Sequence, residues 1–248
     1  MVMYIYNFIY IILTIQFLKY IKYILYIKYI KYMNKFLIVV LSCYKNKHLW
    51  DKILNRIEDD IIIFCGNEEQ EEEYVLENNI LSLKCRDTYE CLPEKIICML
   101  DSILKIDKYK DITHIIKIDD HDTMFDSSTI DKLNDIILNS KSPIDYAGQR
   151  FNNSFRSSGT WHFNKCSKNS IWYKIEYIGP VVPRIDGGCG YVLSRKSMNI
   201  INEKYKPCDI DNIHKTHIYE DIMIALILRE NNVLPIKISP IIIGDKAN

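Results

Sequence analysis

From Lys35 onward, short apolar runs alternate with segments that have the spacing of amphipathic helices. A short apolar run is typical of a buried strand, and strands that alternate with helices indicate a largely parallel sheet covered on both faces. The chain is therefore predicted to be an α/β protein with a mixed central sheet. The predicted strands are Phe36–Leu41, Ile61–Cys65, Ile80–Leu83, Ile112–Ile118 and Asp145–Ala147.

Three segments between or after these runs are predicted to be helices. One has a single apolar face that runs from Leu92 to Leu104, and a second follows the capping residue Ser128. The third, Glu220 to Leu228, is apolar nearly all round after its first two residues, which is typical of a buried helix. A last strand is predicted over Val233–Ile243, where prolines indicate an edge position or a bend.

The length and charge of the chain limit the classes of protein to which it can belong. With 248 residues it is long enough for one large domain, which we assign to residues 34–248, and too short for two. Its 32 Lys and Arg balance 32 Asp and Glu, so the charge does not support a nucleic-acid partner. The eight cysteines include no C-x-x-C pair, which gives little support to a zinc site of paired thiolates. We expect a mostly reduced protein.

Residues 1–33 differ in composition from the rest of the chain. Residues 2–18 carry no charged side chain, and residues 19–32 repeat Lys, Tyr and Ile. One interpretation is a signal anchor, because 17 uncharged residues are close to the shortest length that spans a membrane. The other is that Met33 is the true start of a cytoplasmic protein, because the repeats are of low complexity and a strand follows directly. Both interpretations stay open.

Three carboxylates follow the predicted strand Ile112–Ile118, and they belong to Asp119, Asp120 and Asp122. Open α/β sheets bind ligands at the carboxyl ends of their strands. Carboxylates this close repel one another, and a hard divalent cation is a common way to keep them ionised together. The D-x-D formed by Asp120 and Asp122 is therefore predicted to bind Mn²⁺ or Mg²⁺ together with the diphosphate of a donor.

Two further segments combine residue types that bind or transform ligands. Gly187, Gly188 and Gly190 allow a close approach of backbone to a ligand, and Tyr191 offers a flat surface for a sugar ring. Glu220-Asp221 begins the predicted buried helix, where the helix dipole favours carboxylates. Each segment also has an ordinary structural interpretation, as a tight turn that enters a strand and as a helix cap.

In their order along the chain, these segments resemble glycosyltransferase family 31, the beta-1,3-glycosyltransferases that include galactosyl-, N-acetylglucosaminyl- and Fringe-type enzymes. A fourth segment, from Asp87 to Lys95, is similar to the family's D-x-Y-x-N-L-x-x-K motif, with Cys91 in place of Asn. The stretch that begins at Gly187 is similar to the family's G-G-G-Y-V-x-S, and Glu220-Asp221-Ile222 is similar to its E-D-V. The resemblance runs from about Lys47 to about Asn231.

The resemblance implies a GT-A fold and a metal-dependent, inverting glycosyltransferase. Such an enzyme moves a hexose or N-acetylhexosamine from a UDP-sugar to a hydroxyl of a glycan or glycoprotein, and here it would form a beta-1,3 linkage. It implies that Asp221 is the general base, with Glu220 beside it. The remaining implied residues are Asp87, Lys95, Asp119 and Asp120 for the donor, and Gly187, Gly188, Gly190 and Tyr191 for the acceptor.

Departures from the family pattern leave alternatives open. The family's metal motif is three consecutive Asp, and His121 interrupts them here, so either His121 or Asp122 takes the third metal-binding position. If Glu220 and Asp221 only cap the helix, Asp186 is the next candidate base. The competing function is a non-catalytic sugar-nucleotide-binding or membrane-tethered relic of the same fold.

Overall fold

The computed structural model describes residues 19–20, 34–55, 60–120, 123–124, 128–155, 159–238 and 243–244. The chain divides into two compact units, residues 1–34 and residues 35–248. The predicted anchor at residues 2–18 and the alternative start at Met33 lie outside the described residues. Within the described ranges, no helix is both long and apolar enough to cross a membrane.

Strands and helices alternate through the second unit, as predicted. The strands β1 to β12 are Phe36–Leu41, Ile61–Gly66, Tyr74–Glu77, Ile80–Leu83, His114–Asp119, Thr123–Met124, Tyr146–Gly148, Phe151–Asn152, Arg184–Ile185, Tyr191–Ser194, Ile236–Lys237 and Ile243–Gly244. The α-helices α1 to α6 are Trp50–Leu54, Leu92–Lys105, Thr129–Asn139, Arg195–Lys204, Ile210–Thr216 and Glu220–Glu230. Each of the five strands and three helices first predicted has a counterpart, and every predicted bound given above agrees with it within two residues.

Eight of the strands form one mixed sheet in the order β11-β7-β10-β5-β1-β2-β4-β3. Strand β1 pairs in parallel with β2 and β5, and β2 pairs in parallel with β4. Strand β10 is antiparallel to β5 and to β7, and β3 is antiparallel to β4. The predicted α/β class with a mixed central sheet is therefore confirmed.

Both faces of the sheet are buried, which explains why the central strands are continuous apolar runs. Successive side chains of a strand point to opposite faces. In β1, Leu37 and Val39 belong to one core cluster, and Ile38 and Val40 belong to the other. Helices α2, α4 and α6 cover the first face, and α1 and α3 cover the second. The helices therefore pack on the two faces of the sheet.

The segments that the sequence analysis singled out lie at the carboxyl ends of the parallel strands. Strands β1, β2, β4 and β5 all end on this side of the sheet, which we call the sheet edge of the site. Because β10 is antiparallel to β5, with Tyr191 opposite Lys117 and Ser194 opposite His114, β10 begins where β5 ends. The glycine turn that precedes β10 therefore lies beside the carboxylates that follow β5.

The single last strand predicted over Val233–Ile243 is wrong. Ile236–Lys237 pairs with β7 at the edge of the main sheet, whereas Ile243–Gly244 pairs with β6 in a separate two-stranded sheet. Proline has no backbone N–H to donate and restricts the residue before it, and Pro235 stands directly before the first of these short strands. The expected edge position is confirmed for β11.

Candidate active site

Lys117 joins three segments that are far apart in the sequence. Its ammonium group donates to Oδ1 of Asp119 at 2.5 Å and to Oε1 of Glu220 at 3.1 Å. It also donates to the carbonyl oxygen of Gly187 at 3.1 Å, and it is only 1% exposed. Burial lowers the pKa of Lys117, but the two carboxylates outweigh that effect and raise it, so the ammonium stays charged. The end of β5, the glycine turn and the start of α6 are thereby held together.

Asp120, the first residue after β5, is fixed against the loop that follows β1. Its Oδ2 accepts hydrogen bonds from Oγ of Ser42 at 2.6 Å and from Nδ2 of Asn46 at 2.9 Å. The indole N–H of Trp50 donates in turn to Oγ of Ser42 at 2.8 Å. Hydrogen bonds therefore connect the end of β1 to the end of β5 at the predicted metal motif. They also fix the orientation of the Asp120 carboxylate.

Glu220 and Asp221 stand at the start of α6 but have different surroundings. The Glu220 side chain is 7% exposed, and Lys117 holds its carboxylate. The Asp221 side chain is 17% exposed and pairs with Nε of Arg184 at 3.1 Å, while its Oδ1 accepts the Ile222 N–H at 2.8 Å. Burial raises the pKa of both carboxyls, opposed by Lys117 at Glu220 and by Arg184 at Asp221. Asp221 is thus the more accessible acid of the pair.

The three glycines of the turn have three different surroundings. A Cβ on Gly187 would lie 2.2 Å from Oε1 of Glu220, so only glycine lets that carboxylate reach Lys117. Gly190 has φ of +79°, a backbone conformation that favours glycine. Gly188 is exposed, and a Cβ there would meet only Oδ2 of Asp119, at 3.8 Å. Gly187 and Gly190 are therefore required by the fold, whereas Gly188 leaves open space beside a carboxylate.

We expect Gly187→Ala to lower the free energy of unfolding by about 1–3 kcal/mol, because the added methyl group forces the Glu220 carboxylate away from Lys117. The matched change Gly188→Ala should alter it by less than about 0.5 kcal/mol, because the methyl group meets no close neighbour. Urea unfolding of the two variants measures both values. Equal losses in the two variants would contradict the distinction between the two glycines.

Tyr191 does not lie where the acceptor-binding role requires it. Its side chain is fully buried, with its ring edge-on to Tyr146 at 6.3 Å between centroids and its ring face toward Lys117. A ring in this position has no surface on which a sugar can stack. The role expected for Tyr191 is therefore corrected: it packs in the core behind the glycine turn, because β10 is a central strand with both faces covered.

Asp87 and Lys95 brace the loops at the ends of β1 and β2. Asp87 accepts the Tyr44 N–H at 2.6 Å through Oδ2, and the Gly66 N–H at 2.9 Å through Oδ1. The buried Lys95 ammonium donates to Oδ1 of Asp87 at 2.9 Å and to the carbonyl oxygen of Ser42 at 3.1 Å. These contacts hold the loops after β1 and β2 in place. Direct contact of either residue with a donor stays a prediction.

Asp186, the alternative base, directly precedes the glycine turn. Its Oδ2 pairs with Nε of Arg150 at 3.0 Å. Its negative charge contributes to the raised pKa of Asp221, which places the two carboxylates in the same electrostatic environment. The structure therefore brings Asp119, Asp186, Glu220 and Asp221 into one region.

The buried residue His162 is hydrogen-bonded to the residue that directly precedes α6. Nδ1 of His162 and the Tyr219 hydroxyl are 2.8 Å apart, and Nε2 of His162 is 2.8 Å from the Ile175 carbonyl oxygen. A carbonyl oxygen only accepts, so Nε2 carries the ring proton and Nδ1 accepts from Tyr219. Tyr219 directly precedes the acidic pair, so this bond fixes the backbone from which both carboxylates project.

The remaining members of the predicted metal motif, His121 and Asp122, lie outside the described residues. Sequence reasoning also missed Lys117 and gave no role to Arg184. A signal for Lys117 was available, because a lone lysine within the apolar run His114 to Ile118 must find a buried partner. No local pattern indicates that Arg184 pairs with Asp221.

A protein-family model described as Galactosyltransferase matches residues 66–238, which is more than half of the chain. The matched range contains Asp87, Lys117 and the acidic residues that follow β5, together with the glycine turn and the Glu220–Asp221 pair. No curated protein matches the chain significantly.

Proposed function

This chain belongs to the galactosyltransferase family, and from that premise we propose that it transfers a hexose or N-acetylhexosamine from a UDP-sugar to a carbohydrate hydroxyl with inversion, forming a beta-1,3 linkage. The chain is a glycosyltransferase with a GT-A-like α/β fold, and its family uses a sugar donor and a glycan acceptor. The observation that carries the finer proposal is the convergence on Lys117 of the strand end, the glycine turn and the acidic pair.

Inversion by direct displacement requires a base on the acceptor side. The acceptor oxygen attacks the anomeric carbon as the bond from that carbon to the leaving diphosphate breaks, and the hydroxyl proton passes to a carboxylate. We assign the proton to Asp221 because its carboxylate is the more exposed of the pair and is not held by Lys117. The pKa of Asp221, raised by burial, makes its carboxylate a better proton acceptor than an exposed Asp.

The carboxylates at the end of β5 fit a hard divalent cation such as Mn²⁺ or Mg²⁺. Asp119 and Asp120 offer oxygen donors at the open edge of the sheet, and the side chain of Asp119 is 29% exposed. Either His121 or Asp122 would complete the set. When bound, the cation supplies positive charge against the negative charge that develops on the diphosphate.

The proposal is tested with purified full-length protein and a panel of nucleotide sugars, with Mn²⁺ present and absent. We expect Mn²⁺-dependent release of UDP from at least one UDP-sugar, and faster release when a suitable glycan is added. Tight binding of a UDP-sugar without turnover would instead support the non-catalytic relic. Transfer that is fully active in a chelator would contradict the metal dependence.

The position of the third metal ligand is tested separately. We expect Asp122→Ala to weaken UDP-sugar binding in Mn²⁺ by about tenfold or more, because the cation loses a carboxylate ligand. Calorimetric titration of the donor in Mn²⁺ and in a chelator measures the effect, with His121→Ala as the matched variant. If His121→Ala abolishes Mn²⁺-dependent binding while Asp122→Ala leaves it intact, the third ligand is His121.

A further inference from the structure

The start of α2 and helix α5 bring together three side chains of metal-binding type. The Sγ of Cys91, a carboxylate oxygen of Glu94 and a ring nitrogen of His214 all lie within 4.8 Å of one another. Cys91 and Glu94 are three residues apart on one helical face, and His214 reaches them from α5. Thiolate, carboxylate and imidazole are the three ligand types that proteins use for Zn²⁺.

The imidazole of His214 presents a ring nitrogen to the Glu94 carboxylate. Its Nδ1 lies 3.1 Å from Oε1 of Glu94, yet this buried nitrogen makes no hydrogen bond with the described residues. Two ligand atoms that share one Zn²⁺ ion, each about 2.0–2.2 Å from it, are separated by about 3 Å. The separation of Nδ1 from the Glu94 oxygen therefore fits two ligands of one cation.

The charges around the cluster favour a cation. Arg86 pairs with the Glu94 carboxylate at 2.6 and 3.2 Å, and a carboxylate has about four lone-pair sites, so it can accept from Arg86 and still bind a metal. Asp211 and Glu90 add negative charge near His214. Lys215 adds positive charge there. The three acids Glu90, Glu94 and Asp211 outnumber the two bases Arg86 and Lys215, so net negative charge is present even before Cys91 loses its proton.

Cys91 binds a metal only after it loses its proton. Burial raises the pKa of its thiol to about 12, and the Thr88 hydroxyl donates to its sulfur at 3.2 Å. A bound dication reverses the cost of burying the thiolate, so uptake of the metal releases the thiol proton to solvent and forms a metal–sulfur bond.

We propose that Cys91, Glu94 and His214 bind one Zn²⁺, with water as the fourth ligand. This site is distinct from the carboxylates at the end of β5, and it goes beyond the proposed transfer reaction. It joins α5 to the first turn of α2, the helix that carries Lys95. Zinc therefore stabilises the start of α2, the helix from which Lys95 holds Asp87 and the loop after β1.

The test uses the purified full-length protein, stripped with a chelator and titrated with Zn²⁺, and in parallel with Co²⁺ as a spectroscopic probe. We expect one equivalent of tightly bound zinc and a thiolate-to-cobalt charge-transfer band. Cys91→Ser and His214→Ala should each weaken zinc binding by at least about 100-fold. The matched controls Cys208→Ser and His48→Ala change exposed residues of the same types and should keep wild-type affinity.

Two results would overturn the zinc site. One is a wild-type cobalt spectrum without a thiolate band, which decides the question even if a variant fails to fold. The other is unchanged zinc affinity in folded Cys91→Ser or His214→Ala, which would place the metal elsewhere. Because the readouts are metal content and absorption, a failed transfer assay has no bearing on them.

Discussion

Replacement of Asp221 by Asn is expected to lower sugar transfer by about 100-fold or more while donor affinity stays near that of the wild type. Asparagine keeps the shape of the side chain and can still accept the Ile222 N–H, which Asp221 accepts at 2.8 Å. It cannot take the proton of the acceptor hydroxyl. Steady-state transfer rates and calorimetric donor binding on the same preparation separate chemistry from binding.

A structural role for Asp221 would give a different set of results. Loss of its pair with Arg184 would then lower the melting temperature and the donor affinity along with turnover. The pH profile adds a second criterion: a base works only when ionised, so wild-type transfer should fall as the pH drops through the raised pKa of Asp221. Near-normal turnover in Asp221→Asn with a loss in Glu220→Gln would exchange the two roles, and normal turnover in both would direct the search to Asp186.

Replacement of Lys117 by Met is expected to lower the free energy of unfolding by about 3–5 kcal/mol and to abolish transfer. Methionine is similar in length and apolar, but it leaves the Glu220 carboxylate buried without its cation. Repulsion between Asp119 and Glu220 then spreads the strand end and the helix start apart. Chemical unfolding measures the stability, and the release of UDP measures the transfer.

The double change Lys117→Met with Glu220→Gln is the control for this prediction. It removes both charges of the buried pair, so we expect it to recover part of the lost stability but not the transfer. Lys95→Met is a matched second variant, because Lys95 is equally buried and pairs with Asp87. If Lys117→Met unfolds no more easily than the wild type and keeps its turnover, Lys117 does not organise the site.

The apolar periodicity was sufficient to predict the central strands and the main helices. Strand β1 is bounded as predicted, because six consecutive apolar residues can be satisfied only between two covered faces. Short strands at the periphery were less predictable. Tyr74–Glu77 follows an acidic run and lies at the edge of the sheet, where few contacts favour one conformation over another.

The residues of the candidate site were predictable as motifs but not as contacts. Asp120 and Asp221 were singled out by sequence, yet their partners Ser42 and Arg184 come from segments 78 and 37 residues away. Pairings of this kind depend on how the strands are ordered in the sheet, which periodicity does not encode. The burial of Tyr191 was missed for the same reason, because a strand that follows a turn can be central or peripheral.

The short pairing of β8 with β9 closes off the segment of chain between these two strands. Asn152 lies opposite Arg184, so the segment between them begins and ends beside the Arg184–Asp221 pair. His162 ties this segment to Tyr219, whereas Trp161 and Ile178 are exposed and can change without altering any strand of the main sheet. The chain can thus vary whatever these exposed side chains contact, while the buried contacts of the same segment keep the acidic pair in place.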